Sequence, residues 1–100
     1  MGKAEYPPFY FEWDDEKNRI NLRKHGLPLE AALAFDWSTS CTVTDDRNDY
    51  GEERFVAFGY DSMGHFMSLC FTERKNVIRF ISYRRCTEKE ARRKLEQGHM

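Results

Sequence analysis

The sequence predicts a single domain of the α+β class, and three observations carry that expectation. The chain has 100 residues, 40% of them hydrophobic, which is enough for one core without staples and leaves no room for a second. Short runs of alternating apolar and polar residues between positions 41 and 84 are separated by polar turns, the pattern of strands. Capped helical segments lie before and after that region, so helices and strands are segregated along the chain.

Taken in order, residues 1–8 read as a loose lead-in, because Pro7-Pro8 disfavours helix and favours extended chain. Phe9–Trp13 reads as a short strand. Asp14 is a good helix N-cap, followed by acidic Asp15 and Glu16, with basic Arg23 and Lys24 toward the far end and Gly26 as the stop. Trp13, Ile20 and Leu22 give that helix only a thin apolar stripe. Pro28 suits the first turn of a second helix, Leu29–Phe35. Four strands are then expected: Cys41–Thr44, Arg54–Tyr60, His65–Thr72 and Val77–Arg84. Their connections are the polar turn Asp45–Glu53 and the four-residue turns Asp61–Gly64 and Glu73–Asn76. Such short links make an antiparallel meander the economical topology. Thr87 and Glu90 form a capping-box pattern that opens a mostly charged helix, Glu88–Gln97, offering only Ala91 and Leu95 to a core.

The net charge of −1 hides an asymmetry. Residues 1–53 hold 6 Lys/Arg against 12 Asp/Glu, whereas residues 73–94 hold 9 basic groups against Glu73, Glu88 and Glu90. A basic side of this kind suits an anionic partner such as RNA, DNA or an acidic protein, and also suits plain solvation of the last strand and helix. No apolar run approaches the ~20 residues of a membrane span, and no secretory signal opens the chain, so a cytoplasmic protein is expected. Three cysteines, Cys41, Cys70 and Cys86, are odd in number and widely spaced, as in reduced thiols rather than a disulfide framework.

Neither GxGxxG nor GxxxxGK[ST] occurs, and His25, His65 and His99 lack metal-ligand spacing, so neither a cofactor nor a metal is expected. Cys70 and His65 are five residues apart, on opposite faces of one strand, which disfavours a nucleophile pair. The basic strand is more informative. Simple alternation puts Val77, Arg79, Ile81 and Tyr83 on one face and Ile78, Phe80, Ser82 and Arg84 on the other. Arg79 then sits between apolar neighbours, where it either pairs with Glu12, Glu53 or Glu73 or grips a phosphate in a bidentate fork. Arg84 and Arg85, at the strand end, are placed to reach a ligand. Lys24-His25-Gly26 puts a cation and an imidazole at a helix C-terminus, where the macrodipole is expected to raise the proton affinity of His25.

These residues also carry a resemblance. Phe11-Glu12-Trp13-Asp14, Lys17-Asn18, Asn21, Lys24-His25-Gly26, the turn from Asp46-Arg47 through Tyr50-Gly51-Glu52-Glu53-Arg54, Thr72-Glu73-Arg74 and Arg79-Phe80-Ile81-Ser82 resemble the BrnT family. Its members are ribonuclease toxins of type II toxin–antitoxin systems, with a fold similar to the RelE toxins. The matched segments run in order from about Phe11 to Arg93.

The resemblance implies a RelE-like domain with an antiparallel sheet of about four strands plus a short N-terminal strand, two N-terminal helices and one C-terminal helix. It also implies metal-free RNA cleavage, a ribbon-helix-helix antitoxin as partner, and contact with DNA only through that antitoxin. Cleavage of this kind needs a base for the ribose 2′-OH, cations for the charged phosphorus and an acid for the leaving oxygen. Carried onto this chain, Arg79 and Arg84 are phosphate clamps, Arg47 and Arg54 secondary cations, and Lys24, His25 or Glu53 proton carriers. Arg74, Tyr83 and Arg85 are further expected RNA contacts. Two departures stand out. Relatives typically read Ser-Ala-Arg-Lys-Ala-Thr where this chain has Ser82-Tyr83-Arg84-Arg85-Cys86-Thr87, and they tend to carry a tyrosine in the final helix, where this one has none. Tyr83 is expected to stack on a base or fill a groove, and Tyr83 or Tyr50 to replace a terminal tyrosine. A catalytically degenerate binding partner or transcriptional co-repressor is the alternative reading.

Overall fold

A computed structural model describes residues 1–45 and 51–98 of the chain. Its strands are β1 (Gly2–Tyr6), β2 (Phe9–Trp13), β3 (Cys41–Asp45), β4 (Arg54–Tyr60), β5 (Phe66–Arg74) and β6 (Val77–Arg85). Two α-helices, α1 (Asp15–His25) and α2 (Glu88–Gly98), and two 3-10 helices, Leu29–Ala34 and Trp37–Thr39, complete it. The strands form one sheet in the order β1-β2-β6-β5-β4-β3. No helix among the described residues is long and apolar enough to cross a membrane.

Three expectations are corrected. Residues 1–8 are not a loose lead-in: β1 pairs antiparallel with β2 from Gly2↔Trp13 to Tyr6↔Phe9, and the two prolines form the turn between them. Extended chain, which proline favours, is also what a strand needs. The sheet therefore has six strands and is mixed, because β2 runs parallel to β6. A parallel pair requires a long crossover, and here everything from α1 to β5 supplies it. The second helix is a 3-10 helix ending at Ala34, with a further 3-10 turn beyond.

The meander β3-β4-β5-β6 is antiparallel throughout, as its short turns require. Helix α1 is capped by Asp14, whose Oδ2 accepts from the Lys17 N–H at 3.0 Å, and Gly26 closes it at φ 74°. Left-handed backbone of that kind costs glycine little and other residues more. Thr87 Oγ1 accepts from the Glu90 N–H at 3.1 Å and opens α2.

One face of the sheet packs against residues 27–37. There Phe80, Leu69, Ala57 and Leu29 are fully buried, with Trp13, Phe35, Phe71 and Tyr83 around them. Burying each large apolar side chain contributes about 1.5–3 kcal/mol, so this aromatic face is the main source of stability. The opposite face has a smaller core, Val56, Phe58 and Ala91 with Leu95, where α2 lies across it.

Candidate functional site

A break in the sheet decides where the charged side chains go. Along β5 and β6 the partners run Thr72↔Arg79 and Phe71↔Phe80, then jump to Cys70↔Ser82. Ile81 is the extra residue of a β-bulge, and one extra residue inverts the alternation beyond it. Arg79, Ser82 and Arg84 therefore share one face, while Phe80 and Tyr83 share the other. Simple alternation had put Arg79 and Arg84 on opposite faces. The register Asp45↔Arg54 and Val56↔Cys70 brings Arg54 onto the same face as the other two arginines.

This arginine face holds two cavities. One, of about 290 Å³, lies between the sheet and α2 and is lined by Arg54, Arg84 and Lys94 together with Asp45, Glu90 and the Ser68 and Ser82 hydroxyls. The other, of about 420 Å³, surrounds Arg79 with Arg74, Lys75 and Thr72, and carries Glu12 and Glu52 on its walls. Arg79 and Arg84 stand about 15 Å apart along the strand.

Arg79 is held by Glu12, its register partner: Nε lies 3.4 Å from Oε1. Of the three carboxylates considered from the sequence, Glu12 is the one it meets. The Arg79 side chain remains 39% exposed, so a single strand-to-strand ion pair aims the guanidinium without burying it. Arg84 donates from Nη2 to Glu90 Oε2 at 3.1 Å and from Nη1 to the Arg85 carbonyl. That guanidinium is the chief reason Glu90 lies below the usual carboxylate range.

Helix α1 reaches the same end of β6. Its buried Asn21 accepts from the Tyr83 N–H at 3.0 Å and donates to the Tyr83 carbonyl at 2.8 Å. This places Lys24 and His25, both exposed, near enough to Arg84 for its charge to act on the imidazole. The His25 proton affinity is lowered, first by partial burial and then by Arg84 and Lys24, contrary to the rise expected from the helix terminus. Burial, reinforced by the two neighbouring cations, outweighs the partial charge of the helix end.

The remaining expected residues are dispersed. Glu53 is exposed beside Arg54 at the entry to β4, and Arg74 lies at the end of β5 beside Arg79. Arg47 and Tyr50 lie outside the described residues. Tyr83 is only 1% exposed, edge-on to Phe35, and burial pushes its phenol up to about 12. No base can stack on it and it cannot replace a terminal catalytic tyrosine; of the roles expected of it only the filling of space fits, and the bulge is what turned it into the core.

Arg85 points away from Arg84 and donates to His65 Nε2 at 3.0 Å, while His65 Nδ1–H donates to Asp61 at 3.2 Å. This Asp61-His65-Arg85 chain went unread in the sequence, although an Asp four residues before a His in a hairpin loop was its signal. Glu90's hold on Arg84 was also unforeseen, because the capping box alone accounted for that residue. Cys41, Cys70 and Cys86 form no disulfide among the described residues.

Comparison with known proteins gives two likenesses. The sequence model of the family described as "Ribonuclease toxin, BrnT, of type II toxin-antitoxin system" matches residues 13–90. The 1.1 Å crystal structure of the Brucella abortus ribonuclease toxin BrnT aligns over 77% of this chain and 97% of that chain, at 20% identity and a TM-score of 0.50. At that identity the likeness is one of fold. No curated protein matches the chain.

Proposed function

The chain belongs to the BrnT family of ribonuclease toxins of type II toxin–antitoxin systems, and from that premise we propose that it is a metal-independent endoribonuclease. The observation that carries this reading is the bulge at Ile81, which sets Arg79 and Arg84 on one open face with Arg54 beside them. Phosphodiester cleavage concentrates negative charge on the non-bridging phosphoryl oxygens, and guanidinium groups match that charge bidentately without a metal ion.

In the reaction we assign, a base takes the proton of a ribose 2′-OH and that oxygen attacks the adjacent phosphorus. The bond to the 5′-oxygen breaks, an acid protonates the departing oxygen, and a 2′,3′-cyclic phosphate remains. Arg84, on the His25 side, holds oxygens of the reacting phosphate, and Arg79, about 15 Å along the strand, holds another phosphate of the same RNA, with Arg54 and Arg74 as secondary cations along its path. His25 is the proton acceptor. Its lowered proton affinity, from burial and from Arg84 and Lys24, keeps the imidazole neutral and able to accept near neutral pH. Lys24 and Glu53 are the alternative proton carriers.

A protein antitoxin, of ribbon-helix-helix type by the family resemblance, neutralises the toxin. DNA is reached only through it.

The test is cleavage of single-stranded RNA by the purified chain in EDTA. Arg79→Ala should abolish cleavage yet remain folded, because its ion pair with Glu12 is half-exposed and such pairs contribute about 1 kcal/mol or less. With four cations on phosphate, RNA affinity should fall about 50-fold between 50 and 200 mM salt. A flat salt response would remove RNA as the ligand. Soluble protein that binds its antitoxin but cleaves no RNA would leave the degenerate-partner reading.

A further inference from the structure

The face opposite the arginines ends in a cavity of its own, about 430 Å³, at the same end of the sheet as Arg79. Phe11 of β2 and Phe55 of β4 stand at its sides, and Ile78 and Phe71 form its floor. Trp37 packs edge-on against Phe71, with ring centroids 5.2 Å apart. Among the described residues that line it, Thr42 brings a hydroxyl, Trp37 an indole N–H and Glu73 a carboxylate. Glu73 is exposed and makes no hydrogen bond or ion pair among the described residues. Its carboxylate, at the rim of an aromatic hollow, offers two acceptor oxygens side by side.

The two faces meet at the turn between β5 and β6. Glu73 points to the aromatic side, while its neighbours Thr72 and Arg74 point to the cavity that holds Arg79. A single strand of RNA crossing this turn meets Arg74, Lys75 and Arg79 with its phosphates. One unstacked base can then drop onto the aromatic floor. Aromatic side chains and a polar group on the Watson–Crick edge are the usual means of reading a splayed base. Phe11 lies ahead of the residues matched by the family model, so that wall is outside the part of the chain the family comparison covers.

Resting on the RNA-cleaving reading above, we propose that this cavity is a base-specificity subsite for single-stranded RNA that selects guanine, with Glu73 as the selecting residue. Guanine presents adjacent N1–H and N2–H donors, which the two oxygens of one carboxylate accept together. Adenine, cytosine and uracil each present a single donor position on that edge, next to acceptors that a carboxylate repels. The aromatic floor holds any base, and the carboxylate discriminates.

Trp37 lines the cavity and reports on it directly. Titrating the full chain with GMP, AMP, CMP and UMP should quench tryptophan fluorescence, with GMP effective at a concentration about tenfold lower than UMP. Glu73→Gln, an exposed isosteric change, should erase that difference. In cleavage of oligoribonucleotides that vary one position at a time, the wild-type chain should prefer guanine at one position near the cut. Glu73→Gln should lower the guanine-to-uracil ratio there about tenfold.

Equal quenching by all four nucleotides, or a guanine preference that Glu73→Gln leaves unchanged, overturns the subsite. So does a cavity that binds no nucleotide but is protected from hydrogen exchange by the antitoxin, because its occupant is then a protein. Failure of the wild-type chain to cleave any RNA overturns the RNA-cleaving reading instead, and the nucleotide titration still decides the cavity.

Discussion

Replacing Asn21 by alanine should cost this small domain about 2–5 kcal/mol. The parallel pairing of β2 with β6 stops at Trp13↔Phe80, so the C-terminal half of β6 has no strand on that side. Asn21 stands in for one. Its Oδ1 accepts from the Tyr83 N–H at 3.0 Å, and its Nδ2 donates to the carbonyls of Tyr83 and Leu27, both at 2.8 Å. Asn21 is 3% exposed and Tyr83 1% exposed, so water has no easy route to the groups left behind. Each buried backbone group stripped of its partner costs about 1–3 kcal/mol, and Tyr83 presents two of them.

Against a typical domain stability of about 5–15 kcal/mol, that loss is large. It should lower the urea midpoint by about 2 M or more and the melting temperature by about 10 °C or more, as followed by circular dichroism. The control is Leu22→Ala one residue away, an exposed side chain on the same helix, which should shift stability by less than about 0.5 kcal/mol. An Asn21→Ala loss below about 1 kcal/mol would refute the reasoning, since it would mean that Tyr83's backbone finds other partners at little cost.

Three further outcomes follow from the same contacts. Tyr83→Phe should be neutral or slightly stabilising in urea denaturation, because the buried hydroxyl has no hydrogen-bond partner among the described residues; in the wild-type chain, absorbance titration should show one tyrosine ionising near pH 12. The depressed proton affinity of His25 means the unfolded chain binds more protons than the folded one below pH 6.5. Folding stability should thus rise with pH through the window just under 6.5, and Arg84→Ala should move the His25 titration upward in an NMR experiment. Glu90→Gln releases Arg84 from its ion pair and should tighten RNA binding roughly two- to fivefold in low-salt fluorescence anisotropy; weaker binding would show that Glu90 aims Arg84 rather than competing for it.

Much of the architecture is local and was readable in the sequence. Asp14 and Gly26 bound α1 because a capping side chain and a left-handed residue act within one helical turn. The turn at Asp61–Gly64 and the one following Glu73 join strands whose apolar runs already announced them, and Thr87 marks the start of α2. The basic strand pointed to Arg79 and Arg84, and Glu12 was among the carboxylates considered for Arg79.

What the sequence by itself determined was therefore which segments are strands and helices and which charged residues were available to a site. The tertiary structure alone decided which of them face one another. Strand periodicity has a step of two, so one unannounced extra residue at Ile81 exchanges the faces of everything beyond it. That exchange carried Arg84 onto the face of Arg79 and Tyr83 into the core. The parallel insertion of β2 beside β6 likewise depends on partners more than 60 residues apart. The proton affinity of His25 is likewise set by the fold: burial lowers it first and Arg84, distant in sequence, lowers it further, against the effect of its own helix end. Such choices are made by packing and by charge between distant segments, and a local pattern of residue types does not contain them.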